Sequence, residues 1–220
     1  MEHLTYKKLD YVIRHPKNFD ATKQYPLVIY LHGAGGRGSD VSKILNHVFF
    51  TESEPFCQDA VSVAPQCYAN AWFDIFEQLQ DFVEFVIGKE YVDPQRVYLI
   101  GASMGGYTTW QLAMSRPELF AAIVPICGGG MYWNAERLKH MGVWACHGSE
   151  DKTVLCEESQ KMVNAVNKKG GCAKLTVYEG VAHNAWTPTF QNPEVWRWLF
   201  AHTLCVGETK NEYGDVVKFG

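Results

Sequence analysis

The apolar run 96–100, Arg96-Val97-Tyr98-Leu99-Ile100, breaks directly into Gly101-Ala102-Ser103-Met104-Gly105-Gly106. The run is β-branched and aromatic, and residues 107–115 contain no glycine or proline, so the order predicted is strand, sharp turn, helix. A turn this tight brings backbone segments too close for large side chains. Gly101 and Gly105 answer that crowding, and the serine between them is held in a strained conformation. Serine is a weak nucleophile until it is exposed and given a base, and a strand–G-x-S-x-G–helix elbow supplies the exposure. The turn also constrains the fold, because its strand needs parallel neighbours and its helix needs a sheet face.

The rest of the chain supplies both. Runs 27–31, 60–64, 96–100, 121–127, 143–146 and 174–178 are apolar on both faces, as strands buried on both sides of a parallel sheet are. Helical stretches alternate with them at 74–88, 104–115, 155–169 and 193–204. The first carries Ile75, Leu79, Phe82, Val83 and Val86 as one stripe, and Gly170-Gly171 ends the third. The pattern predicts an α/β protein, a three-layer α/β/α sandwich with a mostly parallel sheet. Residues 4–14 read as one or two added edge strands. Residues 206–220 form a polar tail whose role the sequence leaves open. No repeat or linker divides the 220 residues, so one domain is expected over 1–220 with its core at about 25–204.

Composition narrows the partners. A net charge of −4 with no basic run gives no footprint for nucleic acid or an anionic membrane surface. No apolar stretch approaches the ~20 residues of a membrane span, and the N-terminus lacks the apolar core of a signal peptide. Seven cysteines (57, 67, 127, 146, 156, 172 and 205) include no C-x-x-C pair. Free thiols packed as small hydrophobes are expected, in keeping with a reducing, cytoplasmic setting; neither a metal nor another cofactor is implied.

A serine nucleophile needs a histidine to take its proton and an acid to orient that histidine. In parallel sheets chemistry collects at the carboxyl ends of strands. Asp151 follows run 143–146 within His147-Gly148-Ser149-Glu150-Asp151, and His183 follows run 174–178 within Gly180-Val181-Ala182-His183-Asn184. Glu150 is the rival acid, and the shorter carboxylate after a full turn is favoured. Asp215 lies in the tail, beyond every histidine. His140 sits at the wrong end of its strand, His202 falls in the last helix, and His147 precedes the acid and is read as helping to form its turn. The oxyanion donors expected are the N–H of Met104, opening the helix, and that of Ala34 in the loop after run 27–31, with Gly33 or Gly35 as alternates. That loop, His32-Gly33-Ala34-Gly35-Gly36-Arg37-Gly38, has neither G-K-[ST] nor a dinucleotide fingerprint.

Five motifs then stand in order: Leu31-His32-Gly33-Ala34-Gly35, Ala64-Pro65-Gln66-Cys67, Gly101-Ala102-Ser103-Met104-Gly105-Gly106, His147-Gly148-Ser149-Glu150-Asp151 and His183-Asn184-Ala185-Trp186. In these the chain resembles the α/β-hydrolase superfamily. It is most similar to the short esterases of the dienelactone hydrolase, phospholipase/carboxylesterase and prolyl-oligopeptidase-like groups, which include feruloyl and acetylxylan esterase-like domains. The resemblance covers about residues 25–204. It implies Ser103, Asp151 and His183 as a triad working through an acyl-enzyme, with no cofactor. Dienelactone hydrolases proper often carry a cysteine nucleophile, which this chain lacks.

Residues 128–142 are too few to form a large lid, so the cleft is expected to be shallow. Gln66, Tyr68 and Trp72 after one strand, Tyr132 and Trp133 after another, and Trp186 beside His183 are the candidate substrate contacts, flat rings being suited to sugars or phenolic acyl groups. The expected substrate is a small-molecule or carbohydrate-linked ester with a short, acetyl- or feruloyl-type acyl group. A serine peptidase of prolyl-oligopeptidase-like type and a non-catalytic, hydrolase-like binding protein are the other readings. Oligomeric state is not legible.

Overall fold

A computed structural model describes residues 1–205 and the backbone of Gly207–Lys210 and Val216–Phe219. Eight strands form one sheet. They are β1 (Glu2–Tyr6), β2 (Leu9–Arg14), β3 (Tyr25–Leu31), β4 (Val61–Pro65), β5 (Val92–Ala102), β6 (Ala122–Ile126), β7 (Gly142–Gly148) and β8 (Ala173–Tyr178). Their order is β1-β2-β4-β3-β5-β6-β7-β8. The 4–14 segment forms an antiparallel hairpin, and β2 also runs antiparallel to β4; every other pairing is parallel.

Strand side chains alternate between two apolar layers. Leu27, Ile29 and Leu31 of β3, with Val97 and Leu99 of β5, face α3 (Phe76–Ile87), α4 (Met104–Ser115) and α5 (Cys156–Lys168). There they meet Leu79, Phe82, Trp110 and Met162. Val28, Tyr30, Tyr98 and Ile100 face the other way, toward α1 (Ser42–Leu45), α2 (Val48–Glu52), α6 (Trp186–Phe190) and α7 (Pro193–Phe200). That layer holds Ile44, Phe49, Phe190, Trp196 and Leu199. The sandwich expected from the alternation is therefore formed, on the strand runs that the sequence marks.

Two boundaries differ most. Strand β5 begins at Val92, because Tyr25 pairs with Val92 ahead of a register shift that the polar stretch Asp93-Pro94-Gln95 disguises. The last helix ends at Phe200 rather than 204, and the Leu204 amide instead donates to the Gln95 carbonyl. Helices α1 and α2 are too short to show a period. Within the tail 206–220, β9 (Gly207–Lys210) pairs antiparallel with β10 (Val216–Phe219); residues 206, 211–215 and 220 lie outside the described residues.

The chain leaves β3 for β4 on one side and reaches β5 on the other. The loops after β3 and β5 thus flank the point where strand order reverses, the crevice where open α/β sheets bind ligands.

Candidate active site

Ser103 has φ 55° and ψ −116°, between the end of β5 and the start of α4. Its amide donates to the Ile126 carbonyl at 2.8 Å, which anchors the turn to the neighbouring strand. The turn closes because α4 begins hard against β3.

The loops after β7 and β8 are tied to each other. The Ser149 amide donates to the Tyr178 carbonyl, the Glu150 amide to Val181, and the Gly180 amide to Ser149 Oγ. This brings Asp151 and His183 together although 32 residues separate them. His183 Nδ1 lies 2.7 Å from Asp151 Oδ2, and its Nε2 lies 2.8 Å from Ser103 Oγ. Asp151 Oδ1 accepts from the amides of Thr153 and Val154 at 2.9 and 3.0 Å. Burial pushes the Asp151 carboxyl up, but hydrogen bonds from His183, Val154 and Thr153 outweigh it and hold the group below the usual carboxylate range. Since both ligands of His183 are in place, its Nδ1–H is fixed on the carboxylate and Nε2 is left as the acceptor facing the serine hydroxyl. Glu150 stays exposed at the surface.

Met104 and Ala34 are each the first residue of a helical segment, so their amides have no partner within it. Gly33 packs against the serine: a Cβ built on it would stand 3.3 Å from Ser103 Cβ. Ala34, Ser103, His183 and Trp186 line one cavity of about 760 Å³, together with Ser42, Lys43, Asn46, His47, Tyr30 and Thr153. The Trp186 ring stands edge-on to His183, with centroids 5.4 Å apart. The lining residues from 42 to 47 were not foreseen, because short helices hide in a stretch without periodicity.

The other proposed substrate contacts lie elsewhere. Trp72 is fully buried, its indole N–H donating to the His32 carbonyl at 3.0 Å. Gln66 is buried too, and its amide nitrogen donates to the carbonyls of Gly36 and Asp40. Both hold the glycine loop from beneath and do not line the cavity. Arg37 adds bonds to the carbonyls of Ala34 and Asn70, so the loop is clamped despite its glycines. Tyr68 and Trp133 are exposed but lie outside the cavity lining; Tyr68 donates to Gln78, and Trp133 packs edge-on against Tyr132. No broad lid covers the cleft from 128–142, where the chain forms the short turn of 3₁₀ helix Tyr132–Leu138.

Two further histidines brace the cavity. His32 Nε2 accepts from the Cys67 amide, so its proton sits on Nδ1, 2.6 Å from the Gly33 carbonyl. His47 Nδ1 accepts from the Phe49 amide, leaving Nε2–H directed at the Tyr30 hydroxyl 3.3 Å away. Burial lowers both imidazoles to about 4. In the unfolded chain they take protons near 6.5, so the neutral, buried forms stabilise the fold above that pH. We expect thermal stability to fall as pH drops from about 6.5 toward 4, and a His47→Gln variant to show a shallower fall over that window. Melting temperatures across a pH series check this.

Cys127, His147 and Asp151 offer ligand atoms within 4.8 Å of one another, a spacing that could hold a metal ion. Burial pushes the Cys127 thiol up to about 12, and it donates to the His183 carbonyl. Asp151 and His147 are likewise engaged in internal hydrogen bonds, so this donor set suits a protonated network better than a cation. All seven cysteines are free. No described helix is long and apolar enough to cross a membrane.

Known proteins share this architecture. The model of the prolyl oligopeptidase family matches residues 68–133. A protein named probable feruloyl esterase C, from Aspergillus terreus, is 25% identical over 76% of this chain and 64% of its own length. A probable carboxylesterase SOBER1-like protein from Arabidopsis thaliana is 24% identical, over 77% of this chain and 76% of its own. A solved thermostable esterase superposes with a TM-score of 0.83 at 31% identity, covering 92% of this chain and 63% of that one. The chain thus spans about two thirds of the length of the feruloyl esterase and the thermostable esterase. Together with the sheet order and the strained serine turn, these matches give the chain the fold of the α/β-hydrolases.

Proposed function

We propose that this chain is a serine carboxylic-ester hydrolase in which Ser103 is the nucleophile, His183 the general base and Asp151 the acid that orients it. The observation that carries the reading is the unbroken relay from Asp151 Oδ2 through the His183 ring to Ser103 Oγ, with contacts of 2.7 and 2.8 Å. Attack of Oγ on an ester carbonyl passes its proton to Nε2, while Asp151 stabilises the imidazolium that forms. The amides of Met104 and Ala34 receive the oxyanion, the first aided by the α4 dipole. His183 then protonates the departing alcohol, and water, activated by the same imidazole, releases the acyl group from Ser103.

The substrate class is a short or carbohydrate-linked acyl ester. In support, the cavity falls within the usual size range for small-ligand sites, and Trp186 presents a ring beside His183. The relatives named as esterases point the same way. A panel of acetyl, butyryl, feruloyl and long-chain esters, with an aryl amide alongside, tests the class. Short and feruloyl esters are expected to exceed long-chain ones by at least about tenfold in kcat/KM, the discrimination a few methylenes of poor fit can supply. A preference for long chains would remove this substrate class, and faster amide than ester turnover would favour the peptidase reading that the prolyl oligopeptidase match keeps in view.

A further inference from the structure

The cavity beside Ser103 is one-sided in charge. Among the described residues no aspartate or glutamate lines it, and Lys43 is its one side chain with a permanent charge. Lys43 lies in α1 and Asn46 caps that helix three residues on, so the two share one face of it. The Lys43 ammonium donates to the Arg37 carbonyl at 3.1 Å, which uses one of its hydrogens, and it makes no ion pair among the described residues. Asp40, the acid of the preceding loop, accepts from the amide and hydroxyl of Ser42 and stays outside the lining. Arg37 stays outside it as well, held on the carbonyls of Ala34 and Asn70. A buried donor adds to the wall. The Tyr30 oxygen receives the Nε2–H of His47, so its own hydrogen has no acceptor among the described residues. Tyr30 is fully buried and lines the same cavity, where a hydroxyl hydrogen without an acceptor is unfavourable until a ligand or water supplies one.

We infer that the ester taken by this site carries a carboxylate, which the Lys43 ammonium receives with Asn46 and the Tyr30 hydroxyl as further donors. A carboxylate has only acceptor sites, and these three groups all offer hydrogens. An acidic ester is also drawn to a cleft whose wall holds one cation and no acid. A neutral ester of the same shape gains neither effect. The carboxylate belongs either to the acyl part, as in the half-ester of a dicarboxylic acid, or to the alcohol, as in an acylated uronic acid; the group recognised is the same. Because Lys43 meets a part of the substrate that does not react, the preference falls on KM more than on kcat.

This role for Lys43 rests on the reading of Ser103 as nucleophile, and the test separates the two. Two substrate pairs are compared within each enzyme. Monoethyl succinate against ethyl 4-methylpentanoate places the charge on the acyl side. The acetate ester of a methyl galacturonoside against that of the matching methyl galactoside places it on the alcohol. In at least one pair the acid should lead by about fivefold or more in kcat/KM, the scale of a charge-assisted hydrogen bond in a partly wet site. The pair that shows the lead identifies the side. Lys43→Met should bring that ratio to parity, Lys43→Arg should keep most of it, and added salt should shrink it. Parity in both pairs for the wild type, or a Lys43→Met ratio equal to the wild-type one, would overturn the inference. A binding arm does not depend on turnover. Titration calorimetry on Ser103→Ala should show the same acid tighter than its neutral partner by a similar factor, and the double variant with Lys43→Met should lose the difference. Equal binding of acid and neutral ester to Ser103→Ala also overturns the anion site. A wild-type protein that binds the acid through Lys43 but hydrolyses neither pair and takes no fluorophosphonate label upholds the anion site and overturns the nucleophile reading instead.

Discussion

Ser103→Ala is expected to lower kcat by about 10⁴- to 10⁶-fold while leaving KM and the melting temperature close to wild type, because the members of such a relay act as one unit. The hydroxyl is the atom that would bond to the acyl carbon, and no neighbouring group can replace it. Cys127 is the nearest thiol in the relay's surroundings, yet it is buried, held protonated and committed to the His183 carbonyl. Folding should be unaffected, since alanine keeps the Cβ and meets the same backbone demand at φ 55°. The substitution removes one hydrogen bond to His183, a cost of about 1 kcal/mol. Stopped assays with a short-chain ester, paired with fluorophosphonate labelling, measure the effect. Labelling should disappear in Ser103→Ala and persist in Ser115→Ala, whose side chain pairs with Gln111 at the far end of α4. Undiminished turnover in Ser103→Ala would end the proposed mechanism.

Much of this was legible in the chain, and the reasons are physical. Strands buried on both faces leave apolar runs that stand out from their surroundings, and the residues that follow them mark the carboxyl edge of the sheet. Ser103, Asp151 and His183 each follow such a run, so their convergence could be anticipated from strand ends alone. The aromatic and polar residues near the site could not be sorted the same way. Gln66 directly follows β4 and Trp72 opens a short 3₁₀ helix, where a ring or amide turned inward looks the same in sequence as one turned toward a ligand. What decides is which backbone carbonyls need a donor, and those of His32, Gly36 and Asp40 are exposed only once the loop has folded.

Gly105→Ala should produce the largest loss of stability of any single methyl added to the site. A Cβ on Gly105 would stand 1.9 Å from the Leu31 carbonyl oxygen and 2.6 Å from its carbon, both backbone atoms of the strand that leads into the glycine loop. Neither side can give way cheaply. Leu31 is paired with Gly101 in the sheet, and the first turn of α4 is fixed by the Ser103 amide on Ile126. Relief requires α4 to lift from the sheet, which opens the core around Trp110, Leu112 and Met114. Overpacking against backbone at this depth costs on the order of 3 kcal/mol or more, a fall of about 6–12 °C in melting temperature for a chain of this size. Gly35→Ala is the matched control, because a Cβ there meets nothing within 4 Å; its melting temperature should stay within about 2 °C of wild type. Any Gly105→Ala protein that does fold must carry a displaced Ser103, so its kcat should fall further than its stability alone would require. Calorimetry on the two variants, with ester turnover measured well below each midpoint, separates the effects. Equal melting temperatures for Gly105→Ala and Gly35→Ala would mean that α4 is not seated against β3, and the elbow that exposes Ser103 would then lose its steric basis.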